Sequence, residues 1–261
     1  MLAAAEFHPP TTKDFVFDCY FSFDLFGIEF CFNFIILLVA AAVLLFLAFF
    51  YLGFRKPRVL PGKLQSLTEM GIGFVREQIA IPMLGPAADR FLPLLATLFF
   101  FTLFMNIFEV APLVNFAGTS RVAFPAVLAV IAWLTYNGVG IAKHGAFGYL
   151  RFACVIPAAP WWLRYFPMVP IEFISNIVIR PVTLTIRLTA NFVAGHFLLA
   201  LAFLGTEFFL LNGPKTWGLL VISFPLSVIL VAFEVFVALL QAFIFAILTA
   251  SYIGGALVEE H

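Results

Sequence analysis

"WGLLVISFPLSVILVAFEVFVALLQAFIFAILTASYIGGALV", residues 217–258, is 42 residues of almost wholly apolar sequence. At ~1.5 Å per residue, a helix of that length reaches about 60 Å, about twice the ~30 Å hydrocarbon layer of a bilayer. The segment before it, Glu172–Leu211, has 40 residues and the same excess. Such a helix in a membrane either breaks or leans beyond the usual range of about 0–40°. A leaning helix also needs a protein partner, because its polar groups cannot face lipid. "NGPK", 212–215, supplies a short turn between the two segments. They are therefore expected to form a long, strongly tilted helical hairpin.

The rest of the chain suits the same solvent. Of its 261 residues, 64% are hydrophobic and 11% are charged, with a mean hydropathy of +1.10; soluble domains sit near 45–50% and about 25%. Further spans are expected near 34–52 ("FIILLVAAAVLLFLAFFYL"), 91–108 and 122–142. Residues 63–84 carry Leu64, Leu67, Met70 or Gly71, Phe74 and Val75 at helical spacing, which predicts an amphipathic helix on the inner membrane surface. The fold class is an all-α membrane protein of about five embedded helices, with 1–33 as an outside segment and 34–261 as one membrane domain. Arg55, Lys56, Arg58 and Lys63, then Lys143, His144 and Arg151, mark inner loops, so the N-terminus is expected outside and the C-terminus inside. Five acids (Glu6, Asp14, Asp18, Asp24, Glu29) and only Lys13 precede the first apolar run, which therefore does not read as a signal peptide. A net charge of zero gives no electrostatic case for nucleic acid. Cys19, Cys31 and Cys154 form no CxxC pair, and no metal spacing occurs.

The chemistry sits in the hairpin. At ~100° per residue, Asn176, Arg180, Arg187 and Asn191 fall within about 60° of one another, a polar stripe with Glu172 at its margin. Arg180, beside Pro181, is read as an interfacial residue whose side chain snorkels. Arg187 is different. It stays charged at any relevant pH, no acid lies at i±3 or i±4, and its countercharge has to come from elsewhere. An ionisable group inside a membrane is a functional candidate by default. His196 and Glu234 lie on successive antiparallel segments and form a candidate proton relay. Glu234 and Gln241, seven apart, share a face, and Glu109 in "MNIFEVAP" closes an outer end.

At these residues the chain resembles subunit a of F-type ATP synthases. "IRLTANFVAGH" (186–196) resembles that family's arginine motif, "FEVFVALLQAFIFAILTASYI" (233–253) its C-terminal signature, and "MNIFEVAP" (105–112) its outer-mouth motif. The resemblance runs from about residue 34 to the end. Two departures stand out: Thr189-Ala190 replaces the common Phe-Gly, and His196 and Glu234 hold positions where some bacterial members have Glu and His. The resemblance implies a stator subunit that does no catalysis itself and binds no cofactor or metal. It implies partners in a c-subunit ring, a b-subunit peripheral stalk and the other synthase subunits. Arg187 would face the passing ring carboxylates and block direct proton leak. Asn106, Glu109, Asn191, His196, Glu234 and Gln241 would line an outer half-channel, and Glu172 with Ser175 an inner one. A bacterial plasma membrane is the expected location, with a mitochondrial inner membrane as the alternative.

Competing readings are weaker on specific grounds. An ion-coupled secondary transporter or channel would usually carry internal repeats and interrupted helices. An intramembrane metal hydrolase would want HExxH or a comparable ligand set. The chain has no GxxxxGK[ST] nucleotide loop.

Overall fold

The computed structural model describes residues 21–25, 28–32, 34–55, 59–110, 122–145, 148–149, 169–213 and 216–257. Its elements are β1 (Phe21–Leu25), β2 (Ile28–Phe32), α1 (Phe34–Phe54), α2 (Lys63–Val75), α3 (Ile81–Leu84), α4 (Ala88–Val110), α5 (Ala123–His144), α6 (Val169–Ile174), α7 (Arg180–Leu211) and α8 (Trp217–Leu257). A π-helical segment, Arg76–Ala80, joins α2 to α3; a second, Ser175–Ile179, joins α6 to α7. From Phe34 onward every described element is helical, the all-α membrane architecture expected from composition. Ahead of it, β1 and β2 pair antiparallel, with Phe21 opposite Phe32 and Leu25 opposite Ile28. The sequence reading had no element there. The tryptophan-rich loop around Trp161 and Trp162 lies outside the described residues.

Four helical stretches, Lys63–Ile107, Ala123–His144, Val169–Leu211 and Trp217–Leu257, are long and apolar enough to cross a membrane. The 21-residue α1 adds a fifth apolar helix. α8 runs unbroken through 41 residues, Pro225 included. The 172–211 stretch stays helical but widens once, at the second π segment.

Proline explains both widenings. Each π segment ends two residues before one, Pro82 or Pro181. Proline has no N–H, and its ring crowds the carbonyl four residues back. A helix that takes in one extra residue relieves the crowding. Accordingly the Ile81 N–H donates to Arg76 O and the Arg180 N–H to Ser175 O, five residues back in each case. The Asn176 carbonyl thereby loses its usual donor, and the next candidate, Pro181, has none to offer. It is satisfied from another helix, by the Tyr136 hydroxyl at 2.7 Å and the Trp133 indole N–H at 3.3 Å.

The chain falls into two compact units. The first comprises Met1–Leu47, Phe101–Ser120 and Ala190–Gln241. In it α7 and α8 pair as a hairpin: the Thr206 and Ser227 hydroxyls lie 3.0 Å apart, and Ser227 donates to the Ala202 carbonyl at 3.2 Å. Gly213, at φ +86°, makes the left-handed turn after α7. The Thr216 hydroxyl closes that turn on the Phe209 carbonyl at 2.8 Å. Phe46 meets Phe101 and Phe104 edge-on, both at 6.3 Å.

The second unit comprises Ala48–Phe100, Arg121–Thr189 and Ala242–His261. Phe74 packs between Phe99 and Phe243. Lys143 donates to the Leu257 carbonyl, and a ring nitrogen of His144 lies 3.3 Å from Ala256 O. The end of α5 thus brings basic groups to the negative end of the α8 dipole. On α2, Leu64, Leu67, Met70 and Phe74 face out, whereas Gln65 and Thr68 are buried and Thr68 fits against Gly53; Lys63, Ser66 and Glu69 are exposed as well. Val75, expected on the same apolar stripe, is fully buried. Buried polar groups beneath exposed apolar ones are an order that lipid favours.

Candidate functional site

The same inversion marks the functional residues. Leu44, Val221, Ile222 and Ile229 are each more than 60% exposed, yet Thr102, Asn106, His196, Glu234 and Gln241 are buried. In water this arrangement would be costly; in hydrocarbon it hides the polar groups.

The first unit holds Asn106 on α4, Asn191 and His196 on α7, and Glu234 and Gln241 on α8. Asn191 is half-buried. His196 lies nearly parallel to the Phe192 ring, centroids 5.7 Å apart. Glu109 falls in the last turn of α4, and its side chain lies outside the described residues. Glu234 is brought to the His196 level of α7 by the residue next to that histidine. A β-carbon built on Gly195 would stand 2.6 Å from the Glu234 carboxyl carbon. An alanine there would push the carboxyl aside.

Three buried polar atoms in this unit, Thr102 Oγ1, Asn106 Nδ2 and Gln241 Nε2, have no hydrogen-bond partner among the described residues. An unmet buried group costs about 1–3 kcal/mol, so three in one unit of an apolar protein call for an explanation. Two of the three are sequence candidates. Thr102 is not; its position one helical turn before Asn106 was the available signal. Gly195 was also missed, because a glycine beside a histidine has no pattern of its own.

The second unit holds Glu172, Ser175, Arg180 and Arg187. Glu172 and Ser175 are half-buried, on α6 and at the start of the π segment. The single polar stripe expected through Asn176, Arg180, Arg187 and Asn191 is not one environment. Asn176 is buried while Arg187 is exposed. The π segment at 175–179 shifts the helical phase between them, and the ~100° rule fails across it. The guanidinium of Arg180 lies 4.8 Å from the Tyr252 ring centroid and 6.0 Å from that of Tyr136. Cation–π attraction holds it beside a cavity of about 390 Å³ lined by Tyr149, Asn176, Arg180, Ser251 and Tyr252. Tyr149 donates to Asn137 Oδ1 at 3.1 Å on the same side.

Arg187 sits between buried Leu184 and Leu188 and beside the exposed Ile186. Among the described residues it makes no hydrogen bond and no ion pair. The ion pair seen among them is Arg76–Asp89, at 2.8 Å, between exposed side chains. No group of three His, Cys, Asp or Glu among the described residues is placed to hold a metal ion.

Comparison with known proteins meets this geometry. The family described as ATP synthase A chain matches residues 34–254. An ATP synthase subunit a of Parafrankia sp. strain EAN1pec is 41% identical over 258 residues, covering 98% of this chain and 86% of the relative. One from Rhodococcus erythropolis is 39% identical, covering 100% and 94%. One from Frankia alni is 38% identical, covering 100% and 90%. A multi-pass helical protein with buried polar groups and an exposed arginine among apolar neighbours is thus matched along nearly its whole length, and the chain belongs to the ATP synthase subunit a family, the proton-translocating, non-catalytic membrane subunit of that enzyme.

Proposed function

We propose that this chain is the stator half of a proton-driven rotary motor. Arg187 meets, one at a time, the carboxylates of a rotating ring of c subunits. The observation that carries this reading is Arg187 itself: an exposed guanidinium on an apolar helix, with no hydrogen bond or ion pair among the described residues. A cation that stays charged lowers the proton affinity of a carboxyl brought beside it. A ring carboxyl reaching Arg187 therefore releases its proton. The same fixed charge repels protons and keeps two half-channels from short-circuiting.

The outer half-channel uses Asn106, Glu109, Asn191, His196, Glu234 and Gln241; the inner one uses Glu172 and Ser175. The outer residues all fall in one compact unit, and the inner ones fall with Arg187 in the other, which supports two separate paths. Each proton crossing 100 mV releases about 2.3 kcal/mol, so several protons drive the making of one ATP elsewhere in the complex. The partners are the c-ring, a b-subunit stalk and the remaining synthase subunits. Relatives from bacteria support the plasma membrane as the site of action, with the N-terminus outside and the C-terminus in the cytoplasm.

The test is the assembled complex in vesicles. Arg187→Ala should assemble, lose ATP synthesis to background and raise passive proton leak. Arg187→Lys keeps a charge but loses the planar fork that grips a carboxylate by two hydrogen bonds, and should also lose most of its synthesis. Near-normal synthesis in Arg187→Ala removes Arg187 from the mechanism.

A further inference from the structure

Thr102 behaves unlike the other threonines of the described helices. Thr97, Thr135, Thr185, Thr189, Thr206 and Thr249 each donate to the carbonyl four residues back, at 2.8–3.0 Å. That local bond is how a helical threonine in apolar surroundings ordinarily satisfies itself. Thr102 is wholly buried, yet its hydroxyl makes no such bond and no other among the described residues. One turn further along the same face of α4, the Asn106 side-chain N–H₂ is in the same state; on α8, so is that of Gln241. Asn106 is 3% and Gln241 6% exposed, and all three residues belong to the first compact unit.

Buried polar groups find partners in protein or in ordered water. A hydroxyl that forgoes its own helix is free to donate and to accept at once, which is what a hydrogen-bonded water file needs at each anchor. A valine in its place would be of the same size and shape. The hydroxyl therefore adds nothing to packing, and its retention against burial needs another reason.

We propose that Thr102 is a positioning residue of the outer proton path: its hydroxyl anchors path water one helical turn from Asn106. This rests on the outer half-channel assigned above. The experiment compares Thr102→Val, Thr102→Ser and Arg187→Ala in the assembled complex in vesicles, reading proton flux, ATP synthesis and thermal stability of the complex. Thr102→Val should assemble with equal or higher stability, and its flux should fall roughly 3- to 10-fold, the factor one lost hydrogen bond sets. Thr102→Ser should keep nearly normal flux. A purely structural threonine would give unchanged flux in Thr102→Val, and that result overturns the proposal. So does failure of Thr102→Val to assemble while Thr102→Ser assembles, since the hydroxyl would then be holding protein. If Thr102→Val is silent and Arg187→Ala abolishes synthesis, only the Thr102 assignment falls. If Arg187→Ala leaves synthesis intact, the half-channel reading falls and takes the Thr102 assignment with it.

Discussion

Gly195 leaves the space that the Glu234 carboxyl occupies, and this can be tested with one carbon. A methyl group at that point would lie 2.6 Å from the carboxyl carbon, far inside van der Waals contact, so either the acid or α7 must move. The carboxyl is the far end of a flexible side chain, so it is the part that gives. Gly195→Ala should therefore leave the thermal stability of the complex close to wild type and, by displacing Glu234, lower proton flux. A Gly195→Ala variant with normal flux would mean that the position of Glu234 is not critical. At this scale, legibility followed charge. Arg187, His196 and Glu234 stood out because an ionisable group in an apolar run is expensive wherever it points. Thr102 and Gly195 did not, because a threonine and a glycine are ordinary in such helices. What singles them out is an unmade bond in one case and a neighbouring carboxyl in the other, and neither is written in the local sequence.

Among the elements, the π segment at Ser175–Ile179 depends on a donor from another helix. Tyr136→Phe removes the hydroxyl that meets the Asn176 carbonyl at 2.7 Å and leaves only the Trp133 N–H at 3.3 Å. The expected cost is about 1 kcal/mol, felt locally. Amide hydrogen exchange at 177–180 should accelerate while α5 itself stays protected. Equal protection in the variant would show that the segment holds its shape without help. Helix boundaries were largely legible: the expected spans at 34–52, 91–108 and 122–142 became α1, α4 and α5 with ends shifted by a few residues. The π segments were not, because a proline inside an apolar run does not say whether the helix widens or runs on. Pro82 and Pro181 widen a helix that continues, and at Pro225 α8 continues without any π segment. The apolar stripe of α2 was legible as a stripe: Leu64, Leu67, Met70 and Phe74 face out of the chain, while Val75 is buried.

For the whole molecule, the order of helices follows from the lengths of apolar runs, but the grouping into two compact units does not. That grouping depends on contacts between residues far apart in sequence, which no local pattern encodes. Sidedness is a molecule-wide property, and the basic runs at 55–63 and 143–151 are expected on the inner side. Thr11→Cys should react with a membrane-impermeant maleimide from outside the cell and Glu260→Cys from inside, in a background lacking the three native cysteines. Labelling of both from one side would require an even number of passes and a different path for the chain. The π segment carries a further consequence, for the history of the chain. A residue gained in mid-helix would ordinarily turn everything beyond it by about 100°, which would wreck a hairpin whose two arms are matched residue by residue. Stored as a bulge beside Pro181, the gain is absorbed within one turn. A residue gained before the proline would then leave the spacing from Pro181 through Arg187 to His196 along the helix unchanged.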